Sequence, residues 1–277
     1  MPTVLCTLPL PEPAPTLLCA AAEVRVLGHI PTPDELRAEL ASGVDVLCCQ
    51  LRDGIDAAAL EAGGERLRAV CNYAVGYNNI DVEAASARGV AVTNTPGVLN
   101  DATADCALGL MLAAARRLCE GDALMREGRF TGWEPDFLLG LELRDSLLGV
   151  VGIGRIGQAL ARRALALGMR LAYTDRPEAP IDDDLAPHLR RMELNQLLAE
   201  ADVVSLHVPL TDDTRHLIGE AALRSMKRTA VLVNTSRGPV VDEAALVRAL
   251  REGWIAAAGL DVYEDEPRMA PGLAECR

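Results

Sequence analysis

Lysine is almost missing from this 277-residue chain: Lys227, in SMKR, is the only one, and arginine carries the rest of the positive charge. That scarcity excludes a G-x-x-x-x-G-K-[S/T] phosphate loop and leaves little room for Schiff-base chemistry. Clustered basic residues are missing too. With a formal net charge of -13 and a pI near 4.8, the chain repels phosphates, so neither nucleic acid nor an anionic membrane is expected as a partner. No apolar run approaches the ~20 residues of a membrane span. The opening MPTVLCTLPLPEPAP has no basic start and is broken by prolines, unlike a signal peptide. The eight cysteines, Cys6, Cys19, Cys48, Cys49, Cys71, Cys106, Cys119 and Cys276, form no C-x-x-C pair and mostly sit in apolar runs. Reduced core thiols in a cytoplasmic protein are therefore expected, rather than a metal site or a disulfide framework.

What is present is a soluble globular composition, 50% hydrophobic and 24% charged, long enough for two modest cores. From about residue 44, short β-type runs alternate with helical segments, the pattern of a parallel sheet covered by helices. VDVLCC, RLRAVC and GVAVTN read as strands, with IDAAALEAG as a helix that exits at Gly63 and Gly64. This predicts a small α/β domain over residues 1–99. One long helix is expected from NDATADCALGLMLAAARRLCEGDAL, with Asn100 or Asp101 as its cap and apolar residues almost all round, suiting burial between domains or against a second subunit. Residues 100–277 then carry strands SLLGVVG, RLAYTD, DVVSLHV, TAVLVNT and AAAGLDV, separated by helices. Five parallel strands is one short of a six-stranded dinucleotide-binding sheet, and the pattern places the missing one after Arg277.

VVGIGRIGQAL holds Gly152, Gly154 and Gly157 as G-x-G-x-x-G, directly after a strand and opening a helix. The first glycine permits the turn, the second lets a pyrophosphate approach the backbone, and the third allows close helix-strand packing. The next strand ends in Asp175, eighteen residues past Gly157, where an acid would bond the adenosine ribose hydroxyls. Its charge favours NAD over NADP, while Arg176 beside it leaves NADP open, since a guanidinium pairs with a 2′-phosphate. Ligands of such sheets lie beyond the carboxyl ends of the strands. His207 and Pro209, Ser236 and Arg237, and Asp261, Glu264, Asp265 and Glu266 follow the other strands at that rim. Arg237, between a small residue and a glycine, could reach into a cleft, hold a carboxylate bidentately and polarise an adjacent carbonyl; a surface position is the plainer alternative.

Six blocks in order, AVGYNNIDV, NTPGVLNDATADCALGLMLAAARR, GVVGIGRIGQALARRA, SLHVPLTDDTRHLIG, VLVNTSRGPVVDEAAL and AAAGLDVYEDEP, resemble the D-isomer-specific 2-hydroxyacid dehydrogenases, in their glyoxylate/hydroxypyruvate reductase branch. The resemblance implies a flavodoxin-like substrate domain and a Rossmann doubly wound domain, NAD or NADP as cofactor, a small 2-oxo or 2-hydroxy acid as substrate, and a homodimer. It implies a catalytic pair in Arg237, which would bind the substrate carboxylate and carbonyl, and Glu266, which would hold a histidine protonated. Val75 and Gly76 would add amide donors to the carboxylate. Thr103, the Gly152 to Gly157 loop with Arg155 and Ile156, Asp175, Arg176, His207, Pro209, Thr235 and Asp261 would line the cofactor.

The chain departs from that family in one respect. The histidine that should follow Glu266 is absent, since His29, His188, His207 and His216 are the only four. The resemblance therefore also implies a chain shortened at its C-terminus, without its last strand and a returning helix, with apolar sheet edge exposed and very little reductase activity. A noncatalytic NAD-sensing protein and a related dehydrogenase, such as one acting on phosphoglycerate, remain the alternatives.

Overall fold

A computed structural model describes residues 1–176 and 178–276. Arg277, to which the expected missing strand was tied, lies outside them. The chain divides into two compact units, Met1–Val98 and Leu99–Arg277.

The first unit has strands β1 (Thr3–Cys6), β2 (Glu23–Val26), β3 (Val46–Cys49), β4 (Ala69–Asn72) and β5 (Ala91–Thr93). Helices α1 (Ala14–Ala21), α2 (Pro33–Ala41), α3 (Ala57–Ala62) and α4 (Val82–Ala87) connect them. All pairings are parallel, in the order β2-β1-β3-β4-β5, which is the flavodoxin-like order. The segment TVLC, unread as a strand in the sequence, is the fully buried β1 and pairs on both sides. Four residues before a run of prolines give too little periodicity to recognise; burial between two neighbours makes them a strand.

The second unit contains α5 (Asn100–Ala115), α6 (Leu118–Arg126), β6 (Leu147–Val151), α7 (Arg155–Ala166), β7 (Arg170–Thr174), β8 (Leu189–Arg191), α8 (Leu194–Glu200), β9 (Val203–Leu206), α9 (Glu220–Ser225), β10 (Val231–Asn234), α10 (Glu243–Glu252) and β11 (Ala257–Leu260). Its sheet runs β11-β10-β9-β6-β7-β8, which is the strand order 3-2-1-4-5-6 of a Rossmann sheet. The expectation of five strands in this unit is thus corrected to six, and the one overlooked is β8. LRR has three residues, two of them arginine, and pairs only with β7. An edge strand with one neighbour needs no apolar alternation, so nothing in its sequence marks it.

Apolar residues cover both sheet faces, as a parallel sheet requires. Leu148, Val150, Leu160 and Met111 form one layer with α5 and α7; Leu197, Leu223, Leu232 and Leu246 form the other with α8, α9 and α10. β6 is buried at all five positions. Beside β11, Leu110, Ala114, Leu139, Leu141 and Leu260 line part of a cavity of about 700 Å³.

The long helix is also corrected. It breaks at Arg117, which is left-handed at φ 56, where the amide of Leu141 takes the Ala115 carbonyl (2.8 Å). Asn100 is its first helical residue; neither Asn100 nor Asp101 caps it, and Leu99 at the cap position makes no side-chain bond. Only the stripe Ala104, Ala107, Met111 and Ala115 is fully buried.

Candidate active site

In the second unit, β6 delivers the chain into Gly152, whose φ of 94 is left-handed. A Cβ there would lie 2.8 Å from the His207 carbonyl carbon and 2.9 Å from the Val208 amide nitrogen. Two strand ends thus touch through bare backbone. Gly157, inside α7, packs onto the Gly152 carbonyl and Val150. By contrast, nothing lies within 4 Å of a Cβ on Gly154, the residue that precedes α7. Arg155 and Ile156 form its first turn, Arg155 exposed and Ile156 partly buried.

Asp175 directly follows β7 and takes two amides on its carboxylate, Ile153 N–H on Oδ2 (2.6 Å) and Arg176 N–H on Oδ1 (2.7 Å). Arg191 of β8 donates to its carbonyl at 3.2 Å. This second arginine beside Asp175 could not be foreseen, because β8 itself was invisible. His207 follows β9, with Nε2 2.8 Å from Ser205 Oγ. Pro209 accepts at its carbonyl from Thr214 Oγ1 (2.6 Å).

Burial pushes the His207 ring down to about 4, so it is neutral in the folded protein at pH 7. An unfolded histidine binds its proton near pH 6.5. As pH falls from about 6.5 to about 4 the unfolded chain takes up a proton that the folded one refuses, so stability present above 6.5 is progressively lost. The loss is at most about 3 kcal/mol, at about 1.4 kcal/mol per pH unit. Urea unfolding of the wild type and His207→Leu at both pH values is expected to show a smaller acid loss in the variant; equal losses would refute the assignment.

The end of β10 is held by Asn234. Its Oδ1 accepts from the amide and hydroxyl of Ser236 (3.0 and 2.8 Å), and its Nδ2 donates to the Arg237 carbonyl (2.9 Å). Its own carbonyl takes the Asp261 amide (3.0 Å), bringing the β11 end alongside. Thr235 Oγ1 is buried with no hydrogen-bond partner among the described residues. Arg237 is partly buried and donates from Nη1 to the Ser236 carbonyl (2.6 Å). Burial pulls its guanidinium down, and the charge of Glu266 opposes that pull. Glu266 is exposed and accepts the Tyr263 amide (3.0 Å). Thr103 lies in the first turns of α5, three residues before Cys106, whose thiol is pushed up by burial and by Asp261.

Sequence reading missed the clamp behind this rim. Glu243, 3% exposed at the start of α10, accepts the amides of Glu264 (2.5 Å) and Ala270 (2.9 Å). Glu264 in turn accepts the Glu243 amide (3.3 Å) and meets His216 Nε2 (2.5 Å). An acid after an Asp242 cap reads locally as a helix-start residue, so its reach across 21 positions has no sequence signal. His216 is therefore engaged by Glu264, not by Glu266. His29 lies 2.8 Å from Glu35 in the first unit, and His188 ends a single 3₁₀ turn before β8.

Val75 and Gly76 lie in the first unit, in the loop after β4. Asn94 Nδ2 donates to the Val75 carbonyl and Asn72 Nδ2 to the Gly76 carbonyl, both at 2.7 Å. Asn79 ties the same loop to the carbonyls of Gln50 and Asp53 (3.0 Å each). With both carbonyls fixed, the two amides have no acceptor among the described residues.

Residues 108–276 match the model of the D-isomer specific 2-hydroxyacid dehydrogenase, NAD binding domain. The chain belongs to this dehydrogenase family. It is 52% identical over 238 residues to a glyoxylate reductase of Korarchaeum cryptofilum, covering 86% of this chain and 71% of that one. It superposes on a crystallised glyoxylate reductase from Paecilomyes thermophila with a TM-score of 0.88 at 34% identity, over 99% of this chain and 85% of the other. A Sinorhizobium meliloti NADPH-dependent glyoxylate/hydroxypyruvate reductase, in complex with NADP and malonate, gives 0.83 at 34% identity, over 99% and 83%. As a family member, this dehydrogenase carries an NAD(P)-binding domain, and its residues fit one. There is open space at Gly154, an orphaned hydroxyl at Thr235 and a carboxylate at the end of β7. Among the described residues no acid, histidine or cysteine cluster is arranged to hold a metal, and no helix is long and apolar enough to cross a membrane.

Proposed function

We propose that this dehydrogenase reduces a small 2-oxo acid, glyoxylate or hydroxypyruvate, to the 2-hydroxy acid with NAD(P)H. The observation that carries the reading is Arg237: a partly buried guanidinium opposed by Glu266, on the rim that also bears the glycine loop. The relatives named glyoxylate reductase support the substrate class.

Gly152, Gly154, Gly157, Arg155 and Ile156 would hold the pyrophosphate at the start of α7, Asp175 and Arg176 the adenosine ribose, and Thr103, His207, Pro209, Thr235 and Asp261 the nicotinamide half. When bound, the reduced nicotinamide supplies a hydride. Arg237 binds the substrate carboxylate and polarises the C2 carbonyl, stabilising negative charge as it develops. His207, neutral and bonded to Ser205, serves as packing and not as an acid. Glu266 hydrogen-bonds no imidazole among the described residues; an acid positioned beside it would contribute a gain of about 10²–10⁴ by protonating the oxyanion.

The test is NADH oxidation by the purified chain with glyoxylate and with hydroxypyruvate. Substrate-dependent NADH oxidation is expected. NADH binding with no turnover for either acid would instead support the NAD-sensing reading.

Preference for NADH over NADPH follows from Asp175, whose carboxylate would repel a 2′-phosphate between Arg176 and Arg191. Asp175→Ser is expected to shift the NADPH to NADH affinity ratio by about tenfold or more toward NADPH. Titrations with each cofactor check this, and an unchanged ratio would sink the assignment.

A homodimer is proposed as well. Leu118, Met125, Phe130, Trp133 (83% exposed), Phe137 and Leu139 lie on α6 and the segment after it, a concentration of exposed apolar side chains unusual for a monomer. Light scattering is expected to return a dimeric mass; a monomeric one would contradict the assignment.

A further inference from the structure

The eight cysteines look scattered in the sequence, yet three of them meet in the first unit. Cys6 on β1 is the register partner of Cys48 on β3, and Cys48 is the register partner of Cys71 on β4. Partners in a parallel sheet share a face, so the three thiols form a row across adjacent strands, and Thr93 on β5 continues it. Cys49, one position on, points to the opposite face and donates to Asn72 Oδ1 (3.4 Å). Cys6 and Cys48 are buried, and Cys71 is partly exposed. All three are free thiols packed in one apolar cluster with Val4 and Ala22. A straight row does not converge on one point, consistent with no metal-holding group among the described residues. Adjacent pairs are another matter. Neighbouring strands lie about 4.8 Å apart, inside the Cα separation of about 4.4–6.8 Å that a disulfide spans.

We propose that Cys48 and Cys71 form a peroxide-responsive modification site, in which hydrogen peroxide or an organic hydroperoxide oxidises the pair to an intramolecular disulfide. Three features separate Cys71 from the other thiols as the one attacked first. It is reachable from solvent. The Cys48 thiol and the Thr93 hydroxyl bond to it and hold it down to about 6, against the opposing effect of burial. Its neighbour Cys48, within hydrogen-bonding reach of both Cys6 and Cys71, is pushed far up by those bonds and by burial, so it remains the protonated partner.

The Cys71 thiolate attacks one peroxide oxygen. The O–O bond breaks, a sulfenic acid forms, and hydroxide leaves, or an alkoxide when the oxidant is an organic hydroperoxide. The Cys48 sulfur then attacks the Cys71 sulfur. The S–O bond breaks, the S–S bond forms, and the sulfenic hydroxyl departs as water with the Cys48 proton. Two thiols are oxidised to one disulfide, and the peroxide, with the two thiol protons, is reduced to two waters, or to one alcohol and one water from an organic hydroperoxide.

The experiment is peptide mapping of the reduced 277-residue protein after brief exposure to hydrogen peroxide and alkylation of the remaining thiols. Cleavage at Arg37, Arg52, Arg68 and Arg88 puts Cys48 and Cys71 on separate peptides, and fragmentation distinguishes Cys48 from Cys49. The expected product is a Cys48–Cys71 disulfide, two hydrogens lighter, with Cys6 still alkylated. Cys71 is expected to be consumed at least about tenfold faster than the exposed Cys119. In Cys48→Ser, Cys71 should stop at a sulfenic acid that a cyclic dione traps; in Cys71→Ser, Cys48 should stay reduced. A Cys6–Cys48 bond, bonds only between molecules through Cys19 or Cys119, or Cys71 reacting no faster than Cys119 would each overturn the proposal. Wild-type mapping alone decides if a variant does not fold.

Discussion

Gly238→Ala is expected to lower the unfolding free energy of the second unit by about 3 kcal/mol or more, a large effect for one methyl group. Gly238 lies buried directly after Arg237, and the position of its absent Cβ is already taken by the carbonyl of Tyr263 and the amide of Glu264. Those atoms are backbone, so no rotamer can make room. Nor can the Tyr263–Glu264 segment swing away, because Glu243 holds the Glu264 and Ala270 amides from a buried position. Accommodating the methyl means breaking that clamp or dislodging the 3₁₀ turn that starts at Gly238. Urea denaturation, followed by the same midpoint analysis for both proteins, measures the loss. Gly154→Ala, with nothing within 4 Å, is the matched control and should leave the midpoint nearly unchanged. Equal midpoints for Gly238→Ala and the wild type would show that the segments are not in contact.

Arg237→Gln is expected to weaken binding of a small 2-oxo acid or dicarboxylate by about a hundredfold, while NADH affinity stays within about twofold. Each hydrogen bond between charged groups contributes about 1.5–3 kcal/mol. Two parallel bonds from one guanidinium, discounted for competing water, leave roughly the 2.7 kcal/mol that a hundredfold change represents. Glutamine keeps the length and part of the hydrogen bonding and removes the charge, and with it the counterweight to Glu266. Titrating malonate, which cannot be reduced, into the NADH complex gives the result independently of turnover. A loss of NADH affinity as large as the loss of acid affinity would indicate collapse of the rim, which Asn234 and the Asp261 amide also support. Unchanged acid affinity would remove Arg237 from the substrate site.

Much of the site is readable in the amino-acid order because its chemistry is local. Gly152, Gly154, Gly157 and Asp175 follow from one turn and the next strand end, and each glycine meets the steric situation its position implies. What escaped reading has either one neighbour or a distant one. β8 is an edge of three residues, β1 is four residues before a proline run, and the Glu243–Glu264 clamp joins positions 21 apart. The break of the long helix at Arg117 escaped for a related reason. Residues 100–126 are helix-compatible throughout, and the Leu141 amide that takes the Ala115 carbonyl arrives from 26 residues away.

By itself the sequence determined the alternation of strands and helices, the dinucleotide loop and its acid, and the membership of a dehydrogenase family, since these depend on residue types at short, fixed spacings. It also determined, by composition alone, that histidine occurs only at positions 29, 188, 207 and 216. Only the tertiary structure decided what each remote side chain faces. It engages His216 with Glu264, leaves the Thr235 hydroxyl without a partner among the described residues, and aligns Cys6, Cys48 and Cys71. The physical reason is the same in each case. Hydrogen bonding, burial and thiol chemistry depend on distances of a few ångströms between strands, and the chain separates those strands by tens of residues.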